Sequence, residues 1–134
     1  MALFGRYEYV GELGRGTTGR VLLALDRATD DAPRALKVVA PEHAARLVWE
    51  FSRLSRVEHP RVARVRELLR VEQAVPAPFS LPRGALVLVE DRAPGTPVAR
   101  LTDRAADDAG ERLRLGLSFA LGAASGLAAI HDAG

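Results

Sequence analysis

The chain has 134 residues, 48 % of them apolar and 27 % charged, a balance too apolar for a disordered tail and sufficient for one domain with a buried core. Its formal net charge of +2, with the signs interleaved, offers no basic face for nucleic acid. Cysteine is absent, which excludes disulfides and thiolate metal sites. The opening residues Met1-Ala2-Leu3-Phe4-Gly5-Arg6 lack the apolar core of a signal peptide, and no run is long and apolar enough to span a bilayer, so a cytoplasmic location without a membrane segment is expected.

In chain order, Arg6 to Leu13 sets Tyr7 and Tyr9 against Arg6 and Glu8, the alternation of a short half-exposed strand. Gly14, Gly16 and Gly19 interrupt it. Val21 to Leu25 places Val21, Leu23 and Leu25 on one face if extended; periodicity alone also allows helix, and the turn-rich break from Asp26 to Pro33 favours a strand. Strand, glycine loop and strand then make a hairpin. Arg34 to Ala40 is the third strand, with Ala35, Lys37 and Val39 on one face.

Lys37 stands out by composition. Of 19 basic residues it is the sole lysine, the others all being arginine. Lysine is a compact point charge where arginine is a wide planar fork, so a tight phosphate-gripping cleft can require the one and exclude the other. Coding bias is the other explanation, and the residue count alone does not decide between them.

Pro41 suits the first turn of a helix, and Glu42 to about Arg56 carries a helical pattern with Leu47, Phe51 and Leu54 on one side. Glu50 falls inside that apolar arc, while Trp49 points away. A carboxylate on a stripe meant for burial needs a cationic partner or an edge position that reaches water. Lys37 is the candidate partner. Glu58-His59-Pro60 ends the helix, Val62 to Glu72 reads as a strand with an exposed arginine edge, and Ala74 to Arg83 as a Pro-rich loop. Ala85 to Glu90 is a buried strand by its continuous apolar run, and Asp91 to Pro97 a linker. Thr102 to Ala109 predicts a short helical turn. Glu111 to Gly134 predicts one long helix whose polar stripe is narrow, a helix that belongs inside a lobe. His43 and His131 lack metal-type spacing to a carboxylate and read as surface or packing residues.

Gly14-x-Gly16-x-x-Gly19-x-Val21 followed by Ala35-x-Lys37 resembles the glycine-rich loop and strand-three lysine of protein kinases. Glu50…Leu54…His59-Pro60-x-Val62 is similar to helix C and its H-P-x-I/V junction. Leu86-Val87-Leu88-Val89-Glu90 resembles the fifth strand entering the hinge, and Ala123 to Gly134 the helix E that precedes the catalytic loop. A glycine triplet alone also occurs in dinucleotide-binding folds, but there it follows a buried apolar strand and opens a helix. The style is that of bacterial serine/threonine kinases of the eukaryotic-like type.

The resemblance implies an α+β fold: a kinase N-lobe over 1–92, with a five-stranded antiparallel sheet, helix C and hinge, then a partial C-lobe over 93–134 with helices D and E. It implies ATP as ligand. Gly14, Gly16 and Gly19 would let backbone amides approach the triphosphate, and Leu13, Val21 and Ala35 would form an apolar ceiling over adenine. Val89 would be the gatekeeper, and backbone groups of Glu90 and Arg92 would bond the adenine edge. Lys37 would hold the α- and β-phosphates while Glu50 fixes its ammonium. Two features depart from the family: the spacing from Lys37 to Glu50 is short, and Thr18 replaces the usual aromatic or methionine at the loop tip.

The H-R-D loop, the D-F-G aspartate and the activation loop would lie beyond Gly134. The implied function is therefore the ATP-binding portion of a protein serine/threonine kinase that is inactive alone, Mg²⁺ being expected only with the ligands of the missing segment. The alternative is a non-catalytic, pseudokinase-like nucleotide-binding or protein-docking module. Implied partners are ATP and a protein substrate or docking protein, with self-association through the apolar face of the last helix.

Overall fold

The computed structural model describes residues 2–92. The expected helices over 102–109 and 111–134, the 93–134 unit and its self-associating face lie outside the described residues. The elements are β1 (Ala2–Leu3), β2 (Tyr7–Arg15), β3 (Gly19–Asp26), β4 (Ala32–Val39), α1 (Ala44–Leu54), β5 (Val65–Arg70) and β6 (Leu86–Asp91). All neighbours are antiparallel in one six-stranded sheet ordered β1-β2-β3-β4-β6-β5.

Local chemistry explains the turns. Phe4 and Gly5 have φ of 53° and 67°, and the Arg6 amide donates to the Leu3 carbonyl at 3.0 Å. Two successive positive φ values give the mirror-image turn whose twist matches that of the flanking strands. Between β3 and β4, Asp26 accepts from the Ala28 amide at 3.1 Å and starts a 3₁₀ turn over Arg27–Thr29. Asp30 and Asp31 then take φ of 50° and 55°, which aspartate tolerates better than most side chains.

Alternation along the strands gives the sheet two apolar faces. On the concave one, Leu22, Ala24, Leu36, Val38, Val87 and Val89 are buried with Leu3 and Tyr7. The excursion between β5 and β6 folds back over them, contributing Val71, Phe79, Leu81 and Ala85, and Phe79 meets Tyr9 edge-to-face at 5.4 Å. On the convex face, Val39, Val65, Leu86 and Leu88 pack under Leu47, Phe51 and Leu54 of α1. These three lie at i, i+4 and i+7, the spacing that makes one helical stripe. Pro41 opens a 3₁₀ turn, Pro41–His43, that leads into α1. The helix stops at Leu54, two residues short of the expected Arg56. Trp49 projects outward at 59 % exposure, with the Arg53 guanidinium 4.5 Å above its ring.

The sheet is curled, and the cause is specific. Register shifts between Tyr9 and Gly11 and between Glu12 and Gly14 leave Val10 and Leu13 as bulge residues in β2, and another lies between Val65 and Glu67 in β5. Bulges bend a strand and tighten its twist. The bend brings β2 to β5, although three strands separate them in the sheet: Arg6 Nη1 lies 3.3 Å from Glu67 Oε1, and the Tyr7 hydroxyl donates to the same oxygen. Burial, then the bond to Glu67, pushes the Tyr7 hydroxyl pKa well up.

The five-stranded sheet with helix C implied by the kinase resemblance is therefore corrected. The described residues form a curled half-barrel of six strands with one 14-residue helical segment over 41–54, not the topology of a kinase N-lobe. The differences have physical causes: the added strand β1, the bulges, the closure through Glu67, and a core plug drawn from the stretch expected to be a loop.

An ionic cluster joins the start of β2, the end of β3 and the end of β6. Asp26 is fully buried and accepts from Arg6 Nε at 2.6 Å, Arg6 Nη2 at 2.8 Å and Arg34 Nε at 3.3 Å. Arg34, itself 6 % exposed, continues to Asp91 at 2.8 Å and Thr29 at 2.9 Å. The Arg6 bonds hold the Asp26 carboxyl well below the usual carboxylate range, against the opposing effect of burial. No described helix is long and apolar enough to cross a membrane.

Candidate functional site

On the convex face of β4, beside α1, several of the candidate residues meet. Val21 pairs with Lys37 and Leu23 with Ala35 across β3 and β4; Lys37 pairs with Leu88 and Ala35 with Glu90 across β4 and β6. Directly opposed residues share a face, so Val21, Leu23, Ala35, Lys37, Leu88 and Glu90 form one patch. Leu88 is buried beneath α1, whereas Val21, Leu23, Ala35 and Glu90 are only half-buried. An apolar strip beside an ammonium group is thus left partly open to solvent.

Lys37 Nζ lies 3.0 Å from both Glu50 oxygens. The short connection from β4 to α1 is sufficient because Pro41 turns the chain at once into the helix, and Glu50 sits on the side of α1 that faces the sheet. The side chains are 37 % and 28 % exposed, so the pair lies at the surface of the crevice rather than inside the core. An ammonium has three donors. Glu50 occupies two.

The β2–β3 hairpin overhangs this ammonium. A cleft of about 290 Å³ is lined by Gly14, Gly16, Thr18, Gly19, Val21 and Lys37, among others. The hairpin closes through the Gly16 amide, which donates to the Gly19 carbonyl at 2.8 Å. The three glycines differ in what the fold asks of them. A Cβ on Gly19 would meet the Val38 carbonyl oxygen at 2.0 Å, on Gly16 it would find only Gly19 O at 3.9 Å, and on Gly14 nothing within 4 Å. Only Gly19 is required by packing. Gly19→Ala is expected to cost about 1–3 kcal/mol of stability through overpacking against backbone, and Gly14→Ala less than about 0.5 kcal/mol. Urea unfolding of both variants checks this, and equal losses would contradict it.

The remaining candidates divide. Leu13 is a bulge residue, 41 % exposed, near the tip of the hairpin. Val89 pairs with Leu36 and is fully buried in the concave core, on the side of the sheet away from Lys37. The Arg92 amide donates to the Pro33 carbonyl at 3.3 Å, and the Glu90 backbone lies inside the ladder between Ala35 and Val65. The Glu90 side chain, in contrast, shares the face of Lys37. Burial raises its carboxyl pKa, the Lys37 charge opposes that, and Glu50 adds to it. Leu23, Leu88 and the Glu90 carboxylate belong to the site and were not singled out from the sequence; a period of two from Val21 finds Leu23, but the unbroken apolar run of β6 hides the other two.

Among the described residues no cluster of three or more His, Asp or Glu side chains is placed to hold a metal ion such as Mg²⁺. A second cleft, of about 700 Å³, lies by β6 and includes His59, Arg61, Arg64, Asp91 and Arg92 in its wall.

Comparison with models of known protein families and with curated proteins returns no match. Together with the six-stranded half-barrel, that removes the support for the expected kinase identity. The assignment as the ATP-binding portion of a serine/threonine kinase, its pseudokinase-like alternative and the transferase activity are set aside.

Proposed function

We propose that the crevice beneath the β2–β3 hairpin binds the phosphate groups of a nucleoside triphosphate such as ATP. The observation that carries this reading is the placement of the sole lysine. Its ammonium is pre-oriented by both Glu50 oxygens at 3.0 Å and lines a cleft together with two glycines, Gly14 and Gly16, that packing does not require. Glycine permits close approach of backbone to phosphate oxygens, and a cation held by a carboxylate retains a donor for them. The half-buried strip of Val21, Leu23 and Ala35 offers an apolar surface for the base next to the phosphates. A cytoplasmic location, where such ligands are abundant, is part of this reading.

Equilibrium dialysis of the full 134-residue chain tests the reading. ATP is expected to bind saturably and to be displaced by inorganic triphosphate, whereas adenosine displaces it poorly. Binding that adenosine displaces as well as triphosphate does, or no saturable binding, would contradict it.

A further inference from the structure

We propose that the Glu90 carboxylate reads the base of the bound nucleotide and selects guanine over adenine. The inference rests on the crevice being a nucleotide site, and its observations are separate. One residue pair along β4 from Lys37, the face presents Ala35 opposite Leu23 on one side and Glu90 on the other. A base that follows phosphates held at Lys37 would lie on this apolar step. The backbone there is committed: the Arg92 amide is bonded to Pro33, and Glu90 sits in a strand paired on both edges. Base recognition then falls to a side chain, and among the described residues on this face Glu90 is the polar group at that step.

Its chemistry favours one base. An ionised carboxylate is an acceptor with two parallel oxygens. Guanine presents two adjacent donors, N1–H and the N2 amine, which match it in a bidentate, charge-assisted pair. Adenine presents one donor and one acceptor along the same edge, so one carboxylate oxygen would face the N1 lone pair. Glutamine has the same shape but offers one donor and one acceptor, the complement of adenine.

The experiment measures dissociation constants of GTP and ATP for the full chain and for Glu90→Gln and Glu90→Ala at about pH 8, where carboxylates are ionised. The wild type is expected to bind GTP about tenfold more tightly than ATP, Glu90→Gln to invert that order, and Glu90→Ala to bind both alike. The same GTP-to-ATP ratio in all three proteins would overturn the proposal, as would a wild-type preference for ATP. Equal binding of both nucleotides that still depends on Lys37 defeats base reading alone. Failure of the wild type to bind either defeats the crevice reading and this proposal together.

Discussion

Lys37→Met is expected to weaken ATP binding by about tenfold to a hundredfold, the loss of one charge-assisted hydrogen bond to phosphate. Methionine keeps the unbranched stem and its packing beside Val21 and Leu88 while deleting the charge, so the effect is confined to the ammonium. The fold should tolerate the change. Both side chains of the ion pair are partly exposed, and such pairs are worth about 1 kcal/mol or less, so the urea midpoint should move little. Glu50→Gln should weaken binding less, because it relaxes the orientation of Nζ and leaves the charge in place. Dissociation constants for both variants, with unfolding curves alongside, separate ligand binding from stability. An unchanged constant in Lys37→Met would remove the lysine from the site.

Asp26→Ala is expected to lower stability by about 3–5 kcal/mol, the range for removing one member of a buried ion cluster. The loss is large because two cations depend on the one carboxylate: Arg6 at 2.6 Å and 2.8 Å, and the buried Arg34 at 3.3 Å. The cluster also predicts a pH dependence. Asp26 is held below the usual carboxylate range in the folded state, so it contributes stability that is present above the unfolded carboxyl pKa, about 3.9. That contribution is lost as pH falls toward the folded value, since the unfolded chain then binds the proton first. Asp26→Asn, which cannot titrate, should show a shallower fall in stability below about pH 4. Thermal unfolding at neutral and acidic pH checks both statements, and parallel acid slopes for the two proteins would contradict the second.

Where local pattern decided the structure, the sequence was legible. The period of two with glycine and proline breaks placed strands over Arg6 to Leu13, Val21 to Leu25 and Arg34 to Ala40, within a few residues of β2, β3 and β4. The helical arc of Leu47, Phe51 and Leu54 located α1 and placed Glu50 on the side facing Lys37. Pairing and closure were less accessible because they depend on distant residues. Strand β1 is only two residues long, and its turn uses Phe4-Gly5 rather than a familiar asparagine-glycine signal. Glu67, which closes the half-barrel, lies in a strand that reads as an arginine edge. Phe79 and Leu81 reach the core from a Pro-rich stretch whose composition suggests a surface loop. Asp26 looks like an ordinary turn residue until Arg6 and Arg34 meet on it.

The site shows the same division. The hairpin, the lysine and the helix-borne acid could be aligned by spacing. The face of each β6 side chain could not, because Leu86-Val87-Leu88-Val89 has no alternation; only the pairing of Lys37 with Leu88 puts Val89 on the far side and Glu90 on the near one. A resemblance carried by short motifs reproduced the lysine–glutamate contact without fixing the strand count or curvature, which β1, the bulges and the Glu67 closure decide.

The most direct test is a titration of the isotopically labelled full chain with ATP, following backbone amide resonances. Binding at the proposed crevice predicts saturable shifts in Gly14 to Val21, Ala35 to Lys37 and Glu90, which in Lys37→Met require about tenfold to a hundredfold more ATP. Shifts confined to the cleft at His59 to Arg64, or shifts that saturate at the same ATP concentration in Lys37→Met, would contradict the account.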